Sequence, residues 1–273
     1  MRKPWLAPLL ATTLSLAAAG PASAGHGWQT GSLVTPPYNQ VTALHADVDL
    51  VGNTLAVWRD DKSGSLLYRE RPYAGTFADA PAVITQAAVH DEVLAGDRHG
   101  NAVVAYWADG AIWASFKATG QPFAAPQRVA SSPGEARIVA SFGANGDAVV
   151  AWTEIDGTAS VVRASVRRAA QPAFDAPVQL GTGAMVDASA QDDAGNGLVV
   201  WTQADGMRIA RHPAGGGFLP PQTIAVDGPV VELKLAVGLD GRALLGYSEA
   251  PGGGVDAAHV AVATGTTTAG LGE

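Results

Sequence analysis

Apolar residues in this chain come in short runs, each broken by glycine, asparagine or aspartate, and beyond residue 24 no stretch keeps a helical period. Such spacing predicts antiparallel strands joined by tight turns. One phrase organises the pattern: Gly52-Asn53-Thr54-Leu55-Ala56-Val57-Trp58. It returns at Gly100 to Tyr106, Gly146 to Trp152, Gly195 to Trp201 and Gly241 to Tyr247. Glycine and aromatic are six residues apart in every copy, and the aromatics follow one another at 48, 46, 49 and 46 residues. A fixed period in the forties marks a repeat architecture.

Within a repeat the order of elements is constant. Glu135 to Phe142 reads as a first strand and Gly143 to Gly146 as a turn. The Val/Ala-rich strand ending in the aromatic follows, then a polar turn (Glu154 to Gly157) and an alternating third strand, Ser160 to Arg167. A phenylalanine, a proline and an aliphatic residue close each repeat: Phe123, Pro126, Val129; Phe174, Pro177, Leu180; Phe218, Pro221, Ile224; and, with one extra residue, Phe77, Pro81, Ile84. Four strands at this length make one blade, so the chain is expected to be all-β, a five-bladed β-propeller of four-stranded antiparallel blades. The fifth repeat lacks the closing phrase, and its residues 264–273 read as a flexible C-terminal tail. Trp28, Gly31 and Val34 repeat the spacing of Phe123, Pro126 and Val129. An N-terminal strand from Trp28 to Val34 is therefore expected to complete the last blade and close the ring, leaving only short, protected edges.

Composition places this fold outside the cell. Arg2 and Lys3, the apolar stretch Leu6 to Ala19 and Ala22-Ser23-Ala24 form a signal peptide over residues 1–24, with a single propeller domain over 25–263. A secreted or periplasmic protein is expected, with no membrane span. With no cysteine there are neither disulfides nor thiolate metal sites, so the core alone must hold the fold. The net charge of -8 argues against nucleic acid, whose phosphates require clustered Lys and Arg.

The phrase Gly-Asn-Ala-Val-Val-Ala-Trp with downstream Asp-Gly and Phe-x-x-Pro resembles the repeats of secreted bacterial β-propeller proteins of unassigned function. The resemblance covers nearly all of residues 28–263 and implies the fold but no activity. The repeats also loosely resemble the sialidase Asp-box turn, but Asp49, Asp97 and Asp192 lack its Ser-x-Asp-x-Gly-x-Thr-Trp pattern. Five-bladed propellers include lectins and glycosidases, so both classes stay open on fold alone.

Candidate chemistry falls into five groups. The repeated aromatics Trp58, Tyr106, Trp152, Trp201 and Tyr247 are expected to pack between blades. Trp107 and Trp113 have no counterpart in other repeats; as exposed platforms they would bind a ligand, and otherwise they fill inter-blade space. Asp49, Asp97 and Asp192 are expected to cap their own turns, with Ca²⁺ as the competing role. The loop face carries Asp109, Glu154, Asp156, Asp205 and Glu249, an acidic surface for a glycan or protein ligand. Last, the leading ends of the first strands carry His45, Asp91, Glu92, Arg137, Asp187, Glu232 and Lys234, which differ from blade to blade. Two carboxyls from Asp91, Asp187 and Glu232 would serve a glycoside-processing enzyme. A non-catalytic binding or scaffold domain is the leading expectation, and the sequence names neither ligand nor oligomeric state.

Overall fold

The computed structural model describes residues 41–78, 80–169, 171–250 and 259–272. These residues contain no helix, and hence none long and apolar enough to cross a membrane. They form five four-stranded antiparallel sheets, the blades of a propeller. Blade 1 is β1 (Val41–Val48), β2 (Thr54–Asp60), β3 (Leu66–Arg71) and β4 (Ala82–Thr85). Blade 2 is β5 (Asp91–Gly96), β6 (Ala102–Ala108), β7 (Ala111–Lys117) and β8 (Gln127–Ser131). Blade 3 is β9 (Glu135–Phe142), β10 (Ala148–Asp156), β11 (Ala159–Arg167) and β12 (Val178–Thr182). Blade 4 is β13 (Ala184–Gln191), β14 (Gly197–Gln203), β15 (Gly206–His212) and β16 (Gln222–Ile224). Blade 5 is β17 (Val230–Val237), β18 (Arg242–Glu249), β19 (His259–Thr266) and β20 (Gly270–Gly272). The first strands of successive blades lie next to one another, from β1 to β5, β9, β13 and β17.

The anchor glycine of each copy is required by its backbone. Gly52, Gly100, Gly146, Gly195 and Gly241 have φ between +80 and +91°, where a side chain is strained. Each donates its N–H to the carbonyl three residues earlier, as Gly100 does to Asp97 at 3.2 Å, and so closes the turn between first and second strands.

In blades 1 to 4 the second strand is buried on both faces, and in blade 3 it supplies two interfaces at once. Ala148, Val150 and Trp152 pack on Val103, Ala105, Ile112 and Val129 of blade 2. The intervening Val149 and Ala151 pack on Ala184, Val186 and Trp201 of blade 4. Tyr106 and Tyr247 occupy the same place against blades 1 and 4. Tyr106, Trp152, Trp201 and Tyr247 therefore fill inter-blade space, and Trp58 is likewise fully buried.

The C-terminal end corrects the sequence expectation. Of the expected tail, residues 264–272 are ordered into the last blade: Thr264 to Thr266 continue β19, and Gly270–Gly272 returns along them as β20. Glycine makes this close return feasible, since a Cβ on Gly265 would stand 2.0 Å from the Gly270 carbonyl oxygen. Leu271, the one large apolar residue of that stretch, is buried in the cluster between blades 4 and 5 and anchors it. Thr267 Oγ1 adds a bond to Asp192 Oδ2 at 2.8 Å. The polar turn after Trp152 also starts later than expected, because β10 runs on through Asp156. The segment Trp28 to Val34 lies outside the described residues.

Candidate functional site

Two features of the fold bring polar side chains together: the leading ends of the first strands, and the loops joining second to third strands.

At the leading ends, three blades reach into the next. Arg59 of β2 bonds Glu92 of β5 at 3.2 Å and also the Val89 carbonyl. Asp91 Oδ2 accepts the Ile138 N–H of blade 3 at 2.7 Å, and Thr153 Oγ1 accepts the Val186 N–H of blade 4 at 2.7 Å. Each contact sits where a first strand would otherwise leave a backbone or charged group unpaired beside its neighbour. Arg137 of β9 stands 3.9 Å from Asp187, the residue at the bulge where β13 shifts register against β14.

Burial dominates the electrostatics. It raises Glu92 from 4.5 to about 7, with Arg59 opposing and Asp91 adding to the rise. It raises Asp91 and Asp187 as well, against the Ile138 N–H and the Thr202 hydrogen bonds respectively. His45 is pushed down by burial, and Asp91 counteracts this. Glu92 Oε1, Asp187 Oδ2 and His45 Nε2 are buried and have no hydrogen-bond partner among the described residues. His45, Asp91, Glu92 and Asp187 thus form one coupled group with Arg59 and Arg137. Glu232 stands apart: its side chain is 70% exposed and pairs with Lys234 at 3.5 Å.

The loop-face residues are engaged locally, in four blades. Asp109 and Gly110 form a two-residue hairpin turn with φ of +51 and +67°, the mirror-image type that such hairpins favour. Glu154 pairs with Arg163 across the hairpin at 3.2 Å, and Asp205 pairs with Arg208 at 2.8 Å. Asp156 is exposed at the end of β10. Glu249 is buried; its Oε2 accepts the Asp227 N–H and its Oε1 lies 2.8 Å from His259 Nε2. Asp227, Glu249 and His259 place one ligand atom each within 4.8 Å of one another, a grouping that their separation in sequence concealed. Around the β14–β15 turn a groove of about 510 Å³ is lined by Ser160, Thr202, Gln203, Asp205 and Asp227, among others.

Trp107 and Trp113 are half-buried between blades, on opposite faces of blade 2. Trp107 donates its indole N–H to the Ser132 carbonyl at 2.9 Å and packs on His90; Trp113 donates to Ala108 at 3.2 Å. The turn aspartates are occupied too. Asp97 Oδ1 accepts the His99 and Asn101 N–H groups, and Oδ2 accepts the Asn101 side-chain amide. Asp49 and Asp192 take the same bonds from Asn53 and Asn196. A Ca²⁺ ion there would have to displace these donors. In blades 1, 2 and 4 the asparagine after the anchor glycine then reaches the loop beyond the third strand, with Asn53, Asn101 and Asn196 accepting from the Tyr73, Thr119 and Ala214 N–H groups. Asp147 makes the equivalent bond to Ala169 in blade 3.

No family model and no curated protein matches the chain. Among solved structures it is similar to a protein of unknown function from Dyadobacter fermentans, with a TM-score of 0.52 and 12% identity over 84% of this chain and 80% of that one. A Hadza microbial sialidase, Hz136, gives 0.52 and 11% identity over 84% of this chain and 57% of its own. The polysaccharide lyase Uly1 gives 0.50 and 9% over 82% and 58%. The chain thus spans less than three fifths of the two enzymes. At these identities the likeness is one of fold.

Proposed function

We propose that this chain is an exported propeller that binds a glycan on its loop face without turning it over. The groove of about 510 Å³ carries the proposal. Its hydroxyls (Ser160, Thr202), amide (Gln203) and carboxylates (Asp205, Asp227) offer both acceptors and donors to a hydroxylated ligand. Arg208, held at 2.8 Å by Asp205, fixes the orientation of that carboxylate. A second reading, a glycoside-processing enzyme, draws on the unpartnered Glu92 Oε1 and Asp187 Oδ2 beside Arg137. Against it, Asp91 is committed to the Ile138 N–H, and Glu232 is solvated and paired with Lys234.

The test is a glycan array with the full chain and with Gln203→Ala and Asp205→Asn variants, followed by incubation of any bound glycan to look for cleavage. Binding that weakens in both variants, with the glycan left intact, supports the proposal. Cleavage that disappears in Asp187→Asn would transfer the function to the channel residues. A folded chain that binds no glycan would leave a protein ligand instead.

A further inference from the structure

The junction between blades 1 and 2 holds a cavity where the junction between blades 2 and 3 is packed, and strand pairing identifies the residues that make the difference. Phe116 pairs with Val103 in blade 2, and Glu70 takes the equivalent place opposite Leu55 in blade 1. Phe142 pairs with Ala148 in blade 3, and Gly96 takes the equivalent place opposite Ala102 in blade 2. Arg167 and Lys117 correspond in the same way, each opposite one of those alanines on the third strand. At the packed junction the Phe116 ring lies 6.3 Å from Phe142 and 5.7 Å from Phe174, and the Arg167 guanidinium stands 4.2 Å from its centre. Between blades 1 and 2 a carboxylate and a glycine replace two rings. Gly96 has no room for a side chain, because a Cβ there would stand 1.7 Å from Asp47 Oδ2. The result is a cavity of about 220 Å³ with Leu55 and Ala102 in its wall, at the opposite end of the strands from the groove of the loop face.

The charged groups lining this cavity are incompletely matched. Lys117 is buried, and its ammonium bonds Glu70 Oε1 at 2.5 Å and the Ala118 carbonyl at 3.3 Å, which leaves one of its three donors unused. Arg71 gives one N–H to Thr54 Oγ1 at 3.2 Å, while its Nε is buried with no partner, and no carboxylate pairs with it among the described residues. Asp47 Oδ1 accepts the Val48 N–H at 2.9 Å, and no cation pairs with Asp47 among the described residues. Burial pushes Asp47 up; the Val48 N–H opposes this, and Asp97 and Asp49 add to the rise. Asp49 also lines the cavity, but its oxygens are taken by its own turn. The fold does not need a buried ion pair at this place, since the next junction fills it with rings. An unpaired cation and an unpaired anion therefore share one small cavity.

We propose that this cavity binds a free amino acid, with its carboxylate at Arg71 and Lys117 and its ammonium at Asp47. At about 220 Å³ the cavity lies below the roughly 300–1,000 Å³ of sites for drug-sized ligands, so its occupant is small. The leftover donors of Arg71 and Lys117 call for an acceptor with more than one oxygen, and a carboxylate supplies two. A cation beside Asp47 relieves the cost of burying its charge. Leu55 and Ala102, with Val48 and Pro72 exposed at the rim, offer an apolar surface to an aliphatic side chain. This ligand is separate from the glycan of the loop face, and neither reading depends on the other.

The test is a thermal-shift screen of the full chain against each standard amino acid, followed by calorimetric titration of the best one, its amide and its deaminated acid. The amide lacks the carboxylate and the deaminated acid lacks the ammonium, and each is expected to bind about tenfold or more weakly than the parent. Arg71→Gln, on a half-buried side chain, should weaken the amino acid by a similar factor and change the amide far less. Glu70→Phe with Lys117→Arg copies the packed junction, so this double variant should fold and lose binding. No stabilisation by any amino acid overturns the proposal, and so does full-strength binding to the folded double variant or to Arg71→Gln. A deaminated acid that binds as tightly as the parent removes the role of Asp47 and overturns the ligand class.

Discussion

Glu92 allows a quantitative check on the leading-end cluster. Its side chain is 1% exposed and 3.2 Å from Arg59, and burial lifts it from 4.5 to about 7. Between those values the folded protein holds a proton that the unfolded chain has released. The folded state binds more protons in that window, so its stability falls as pH rises from about 4.5 to about 7. A difference of about 2.5 in pKa, at about 1.4 kcal/mol each, removes about 3–4 kcal/mol. Glu92→Gln keeps the shape of the protonated acid and cannot ionise, so it lacks this loss. The other titrations of the cluster are common to both proteins, so the difference reports Glu92 together with its coupling to Asp91. With a urea slope of about 3 kcal/mol/M for a chain of this size, the variant's midpoint should gain about 1 M on the wild type between pH 4 and pH 8. Midpoints that run parallel across that range would refute the assignment of a raised pKa to Glu92.

Two further outcomes are expected. Trp152→Ala opens a cavity between blades 2 and 3 and should cost about 3–5 kcal/mol by urea unfolding; a loss under about 1 kcal/mol would contradict its place in that interface. Asn101→Ala removes the bonds to Asp97 and Thr119 and should cost about 1–3 kcal/mol, with faster amide exchange at Thr119. Unchanged exchange there would show that the asparagine does not hold the loop.

The repeat was legible in the sequence because each copy needs the same backbone and packing. Gly52 and its equivalents must adopt positive φ, and the aromatic six residues on must fill the gap between blades. Local composition misled at the C-terminus, where a single leucine among Gly and Thr turned out to anchor a strand. Contacts between repeats were harder to see. Asp91 meets Ile138 47 residues away, and nothing in either residue's neighbourhood signals the bond. The loop carboxylates read as a shared acidic surface, yet Glu154, Asp205 and Glu249 each found a partner close by, which only the hairpin geometry reveals. The asparagine of Gly-Asn looked like turn composition; its second bond, to the loop beyond the third strand, requires three segments to meet.

The two-sided second strand has a consequence for how such a molecule changes over generations. Blades 2, 3 and 4 each offer one kind of surface to the blade before and another to the blade after, with the aromatic on the earlier side. A duplicated copy inserted between any two would therefore meet compatible neighbours on both sides, and neither would need to mutate first. Blade number in this architecture is thus open to change by tandem duplication, while the leading-end residues, which differ from copy to copy, are free to diverge after each event.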